Sequence, residues 1–99
     1  MLQVINHVRI EDNVAYVKDH GYLKAEMVAR MHTDEGCPIE EVMEHYQLTA
    51  AEVHACLTYY YDNQTVLDAE EASVRAEVKA NAIKGLEHLE KLRARQKPD

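Results

Sequence analysis

Tryptophan and phenylalanine are absent from this 99-residue chain, and it holds only 3 glycines, 2 prolines and 2 cysteines. Without Phe or Trp, the core has to rest on Leu, Ile, Val, Met and Ala, with the six tyrosines at its rim. So few glycines leave no phosphate-cradling loop and no nucleophile elbow. Cys37 and Cys56 form no CxxC pair, so neither a disulfide scaffold nor a zinc or redox motif is expected. No apolar run approaches the ~20 residues of a membrane span, and residues 1–10 lack a basic start followed by an apolar stretch. A cytoplasmic protein without membrane contact is therefore expected.

Positive charge is scarce as well. The chain carries 11 Lys+Arg against 18 Asp+Glu, a formal net charge of −7. Such a chain has no general attraction for phosphate backbones. The imbalance is uneven: residues 1–70 hold 4 basic and 13 acidic side chains, and residues 71–99 hold 7 basic and 5 acidic ones. An acidic body at −9 is followed by a tail at +2, whose cations concentrate at Lys91, Arg93, Arg95 and Lys97.

The remaining pattern is mainly helical. Val8 and Ile10, then Val14 and Tyr16, alternate with polar neighbours around Glu11-Asp12-Asn13, which predicts a short hairpin with a three-residue loop. Leu23, Met27, Val28 and Met31 form a helical stripe closed near Gly36. Pro38 suits the first turn of a second helix, carrying Ile39, Val42, Met43 and Tyr46 at i, i+3, i+4, i+7. Thr49 to Glu52 is a capping box for a third, with Val53, Cys56, Leu57 and Tyr60 at the same spacing. The tight turn between these two short helices predicts a helix-turn-helix-like trihelical unit.

Asp68-Ala69-Glu70-Glu71 reads as the cap of a long final helix, about 40 Å to residue 96 at ~1.5 Å per residue. A compact domain of this size has a radius of gyration of only about 13 Å, so the helix is expected to overhang. Residues 1–67 then form the hairpin-plus-trihelical domain and 68–99 a dimerisation or partner-binding helix. Its stripe of Val74, Val78, Ala82, Leu86 and Leu89 needs a partner, a second copy or another protein. Tyr59, Tyr60 and Tyr61 point about 100° apart on a helix. Tyr60 follows the core stripe, which assigns Tyr59 and Tyr61 to the rim and an interface.

No catalytic, metal or cofactor constellation emerges. Of six histidines, none makes an HExxH motif; His32-x4-Cys37 and His54-x-Cys56 are the nearest approaches to ligand spacing. Glu40, Glu41 and Glu44 are explained by the helix N-terminus behind Pro38. Between residues 37 and 62 there is no Lys or Arg, so DNA contact by the trihelical unit would need Arg9, Lys18, Lys24 and Arg30, or the basic tail, for phosphates and Thr49 at the second helix of the motif. Whether DNA is bound is left open by the sequence.

Tyr22-Leu23-Lys24, Cys37-Pro38-Ile39-Glu40-Glu41-Val42, Leu48-Thr49, Val53-His54-Ala55 and Leu57-x-Tyr59-Tyr60-Tyr61-Asp62-Asn63 resemble the bacterial domain-of-unknown-function family numbered four hundred thirty-three. The resemblance covers roughly residues 8 to 68. It implies a trihelical fold without enzymatic activity and an antitoxin-like role beside a PIN-like ribonuclease toxin. The chain departs from the family's usual Gly-Thr-Arg before the first helix, having His20-Gly21-Tyr22, and has Cys56 in place of the usual Ala. The expectation is an antitoxin-like protein supporting operator binding in complex with its toxin. The alternative is a stand-alone homodimeric interaction or structural protein that does not touch DNA.

Overall fold

The computed structural model describes residues 1–96. It is mainly helical, with strands β1 (Val8–Glu11) and β2 (Val14–Val17) followed by helices α1 (Ala25–Thr33), α2 (Ile39–Tyr46), α3 (Ala50–Asp62) and α4 (Gln64–Gln96). The chain separates into two compact units, one ending at Gln64 and the other beginning at Thr65.

In the first unit the hairpin pairs Val8 with Val17 and Ile10 with Ala15, in antiparallel register. The connection is tighter than the expected three-residue loop. Asp12 and Asn13 both take positive φ, 52° and 65°, as a two-residue type I′ loop requires. The buried face also differs from the sequence reading. Ala15 and Val17 point inward, while Val14 and Tyr16 are half-buried on the other face. A period-2 pattern fixes two faces but not which one meets the core; small Ala15 is the inward residue here. Backbone bonds from Val17 N–H to Leu23 C=O (2.8 Å) and Lys18 N–H to His7 C=O (2.8 Å) tie the hairpin to its flanks.

Helix α1 buries Ala25, Val28 and Ala29, and its most extensive contact is with α3. Met27, expected in the stripe, is 54% exposed. The sequence reading followed the larger side chains, whereas two alanines make the close-packing face. Gly36 lies three residues past the helix end at φ +74°, and Cys37 N–H then reaches the Met31 carbonyl at 3.1 Å. In α2 the apolar face holds as read: Val42 is fully buried, and Ile39, Met43 and Tyr46 are half-buried. Pro38 sits one position earlier than expected, as the extended N-cap residue, and its carbonyl accepts from Glu41 and Val42 N–H. Gln47 closes α2 in the left-handed region.

Helix α3 begins with the expected capping box. Thr49 Oγ1 accepts from Glu52 N–H (3.2 Å), and Thr49 N–H donates to Glu52 Oε1 (2.9 Å). Val53, Cys56, Leu57 and Tyr60 are all buried. Full burial of an aliphatic side chain such as Val53 contributes about 1.5–3 kcal/mol.

Helix α4 starts at Gln64, four residues before the cap signature at Asp68. Only Asn63 interrupts the helical path, with its N–H and side-chain amide both bonded to the Tyr59 carbonyl. Nothing from Gln64 to Leu67 breaks a helix, so Asp68 lies inside α4, where it cannot adopt the extended conformation of a cap. Among the described residues no helix is long and apolar enough to cross a membrane.

Two substitutions measure these contributions. Thr49→Ala removes the cap and is expected to lower unfolding free energy by about 1 kcal/mol in urea titration. Val53→Ala is expected to cost about 2 kcal/mol by leaving a cavity between packed helices.

Candidate interaction surfaces

The residues proposed from sequence for phosphate contact are mostly engaged within the first unit. Arg9 stacks over the rings of Tyr16 (4.8 Å) and Tyr22 (5.5 Å), which themselves meet edge-to-face at 5.4 Å. Its guanidinium also donates to the Gly21 carbonyl (2.7 Å) and pairs with Glu11. Arg30 bridges Glu26 (2.9 Å) and Asp34 (3.0 Å) on its own helix, and lies over the Tyr60 ring at 5.0 Å while donating to its hydroxyl at 3.3 Å. It therefore locks α1 to α3. Thr49 spends its hydroxyl on the cap. Lys18 and Lys24 are exposed. The structure thus leaves two of the five DNA-contact candidates exposed to solvent and gives the other three intramolecular roles.

Along α2 the surface is acidic. From residue 31 to residue 74 there is no Lys or Arg. Glu35, Glu40, Glu41 and Glu44 are all exposed, and a shallow depression of about 320 Å³ is lined by Met31, Glu41, Glu44 and His45. The field of these carboxylates acts on neighbouring groups. Partial burial, then the charges of Glu41 and Glu35, push the Cys37 thiol above its ordinary value. Burial, then Glu35, does the same to the Tyr46 hydroxyl.

One charged contact has no sequence signal at all. His20 Nε2 lies 2.7 Å from Glu52 Oε2, joining the loop before α1 to the cap of α3. The two residues are 32 positions apart, and the capping box that contains Glu52 gives no hint of His20. Burial raises the Glu52 carboxyl, but the hydrogen bonds from Thr49 and the nearby His20 outweigh it and hold the group below the usual carboxylate range. Because the folded value is depressed, the stabilisation is present above the unfolded value and is lost as pH falls through the folded one.

The histidine–cysteine spacings resolve into packing. His32 Nδ1 donates to the Cys37 carbonyl oxygen at 2.7 Å, a backbone tie across the α1–α2 connection. His54 is exposed while Cys56 is fully buried, so the two diverge. Among the described residues no group of three His, Cys, Asp or Glu is placed to hold a metal ion. Burial, then the charge of Glu52, pushes the Cys56 thiol up to about 12.

Of the tyrosine run, Tyr60 is 2% exposed, Tyr59 is half-buried and Tyr61 is 57% exposed, the division expected from 100° steps. Tyr59 lines an open groove of about 860 Å³ between α3 and the segment leading into β1, with His7, Lys18, Asp62 and Asn63 among its polar groups. Sequence reasoning missed this groove because its walls come from segments fifty residues apart.

In the second unit the expected partner-binding residues are solvent-facing. Val74, Val78, Leu86 and Leu89 are 50–62% exposed, Ala82 is also exposed, and Ile83 and Leu92 lie on the same helix at 47% and 37%. Lys97 lies outside the described residues. No protein-family model, curated protein or solved structure matches the chain.

Two outcomes follow from this chemistry. Stability measured between pH 6 and pH 3 should fall on acidification, and Glu52→Gln should flatten that dependence. Under native conditions a thiol-alkylating reagent should modify Cys37 and leave Cys56 untouched until the protein unfolds.

Proposed function

We propose that this chain is a non-enzymatic, antitoxin-like protein of the cytoplasm, whose acidic first unit binds a basic protein partner. The observation that carries the reading is the cation-free span from residue 31 to residue 74, folded so that the α2 carboxylates face solvent. A surface of one sign steers and holds a partner of the opposite sign. The substrate face of a nuclease is basic, because it must accept a phosphate backbone. A PIN-like ribonuclease toxin is such a partner, and the resemblance of residues 8 to 68 to the four-hundred-thirty-third family supports that choice. Within the complex, Lys18 and Lys24 are the exposed cations of the first unit left to contribute to operator DNA.

A second reading draws on α4. Its exposed apolar stripe fits a stand-alone homodimeric interaction protein that leaves DNA alone. An electrophoretic shift on the chain's own upstream DNA, taken together with light scattering, separates the two: a dimer without a shift at low salt favours the second.

The test of the first reading is co-purification with the product of the neighbouring gene, followed by a nuclease assay of the complex. Binding with loss of nuclease activity is expected. Full nuclease activity with this protein bound would overturn it. Replacing Glu40, Glu41 and Glu44 together by lysine should weaken the complex roughly tenfold or more and reduce its sensitivity to salt.

A further inference from the structure

The exposed face of α4 contains its own specification for a partner. Taken at 100° per residue, Val74, Val78, Ala82, Gly85, Leu89 and Leu92 fall within a band about 80° wide, spaced four, four, three, four and three. This series is nearly symmetric about a point between Ile83 and Lys84. Reversed end for end, Ala82 exchanges places with Gly85, Val78 with Leu89, and Val74 with a position one residue from Leu92. The helix is also electrically antisymmetric about the same point. Residues 64–83 hold four carboxylates and two cations, net −2, whereas residues 84–96 hold two carboxylates and four cations, net +2.

We propose that α4 pairs antiparallel with α4 of a second copy, about a twofold axis beside Ile83 and Lys84. Antiparallel pairing lays each acidic half along the other copy's basic half, while parallel pairing would set like against like. At the crossing, Ala82 meets Gly85 of the second copy twice, and these small residues let the two backbones approach closely. Outward from it, valine packs against leucine on both sides, so each layer joins a shorter and a longer side chain. The flanks agree with this register. Glu77 comes within one position of the second copy's Lys91, and Glu90 comes between its Arg75 and Lys79. Gly85, which costs roughly 1 kcal/mol relative to alanine in a helix interior, gains a purpose at the point of closest approach. The inference takes only the exposed stripe from the homodimer reading, and goes beyond it in naming the occupant's direction and register.

The test uses the full chain. In a Cys37→Ser background, with Cys56 shielded in the core, a nitroxide label at Glu70→Cys is measured by pulsed dipolar spectroscopy. Antiparallel pairing places the two labels about 40 Å apart, twice the 13.5 residues to the axis at about 1.5 Å each. A distance below about 20 Å would establish parallel pairing and overturn the proposal, as would the absence of dipolar coupling with a light-scattering mass of one 11.4 kDa chain. Glu77→Lys should weaken the dimer by a few-fold, and the double variant Glu77→Lys, Lys91→Glu should recover it. Failure of the double variant to recover what the single one lost would reject the register. Because Glu70, Glu77 and Lys91 lie outside the acidic α2 face, loss of the dimer with retention of the nuclease partner would reject this pairing alone.

Discussion

The contact of α1 with α3 is the constraint on which the first unit rests. Both helices are short, and neither would persist alone in water. What holds them is a dry seam in which Ala25, Val28 and Ala29 on one side and Val53, Cys56, Leu57 and Tyr60 on the other are all buried. Arg30 closes the seam at its edge, stacked on Tyr60 and held flat by Glu26 and Asp34. An arginine suits that position because its planar, weakly hydrated head can stack and hydrogen-bond at once. The hairpin and α2 are arranged around this pair: β2 meets α1, β1 meets α3, and α2 touches both helices.

Much of this organisation is legible in the amino-acid sequence. The capping box, the four-residue stripe of α3 and the face of α2 depend only on local spacing, and the structure follows them residue by residue. Local spacing failed where two answers satisfied the same pattern. The hairpin could have turned either face inward, and α1 could have buried its methionines instead of its alanines. Tertiary fit decided both, in favour of the smaller side chains that allow close approach. The start of α4 was misplaced for another reason. A cap motif reports what a terminus would look like, but it does not force the preceding residues out of a helix they already favour. The His20–Glu52 pair and the groove beside Tyr59 were invisible because they join distant segments with no shared motif.

The two units divide the chemistry of the chain between them. The first holds nearly all of the buried side chains and a surface of one sign. The second is a single helix with opposite charges at its two ends and apolar residues along one side. Arginine scarcity sharpens that contrast. Two of the first unit's four cations, Arg9 and Arg30, stack on tyrosine rings and pair with carboxylates, which leaves Lys18 and Lys24 as its exposed cations.

The short connections of the first unit have a consequence for its assembly. Two residues join the strands, five join α1 to α2, and three join α2 to α3. Such local closure involves little loop entropy, and topologies of this kind fold fast. Every residue of the seam between α1 and α3 precedes α4 in the chain, so this seam can close during synthesis before the stripe of α4 emerges. The acidic surface can therefore take its final form before any apolar helix is available to meet a second chain, and this order of events keeps association from competing with folding.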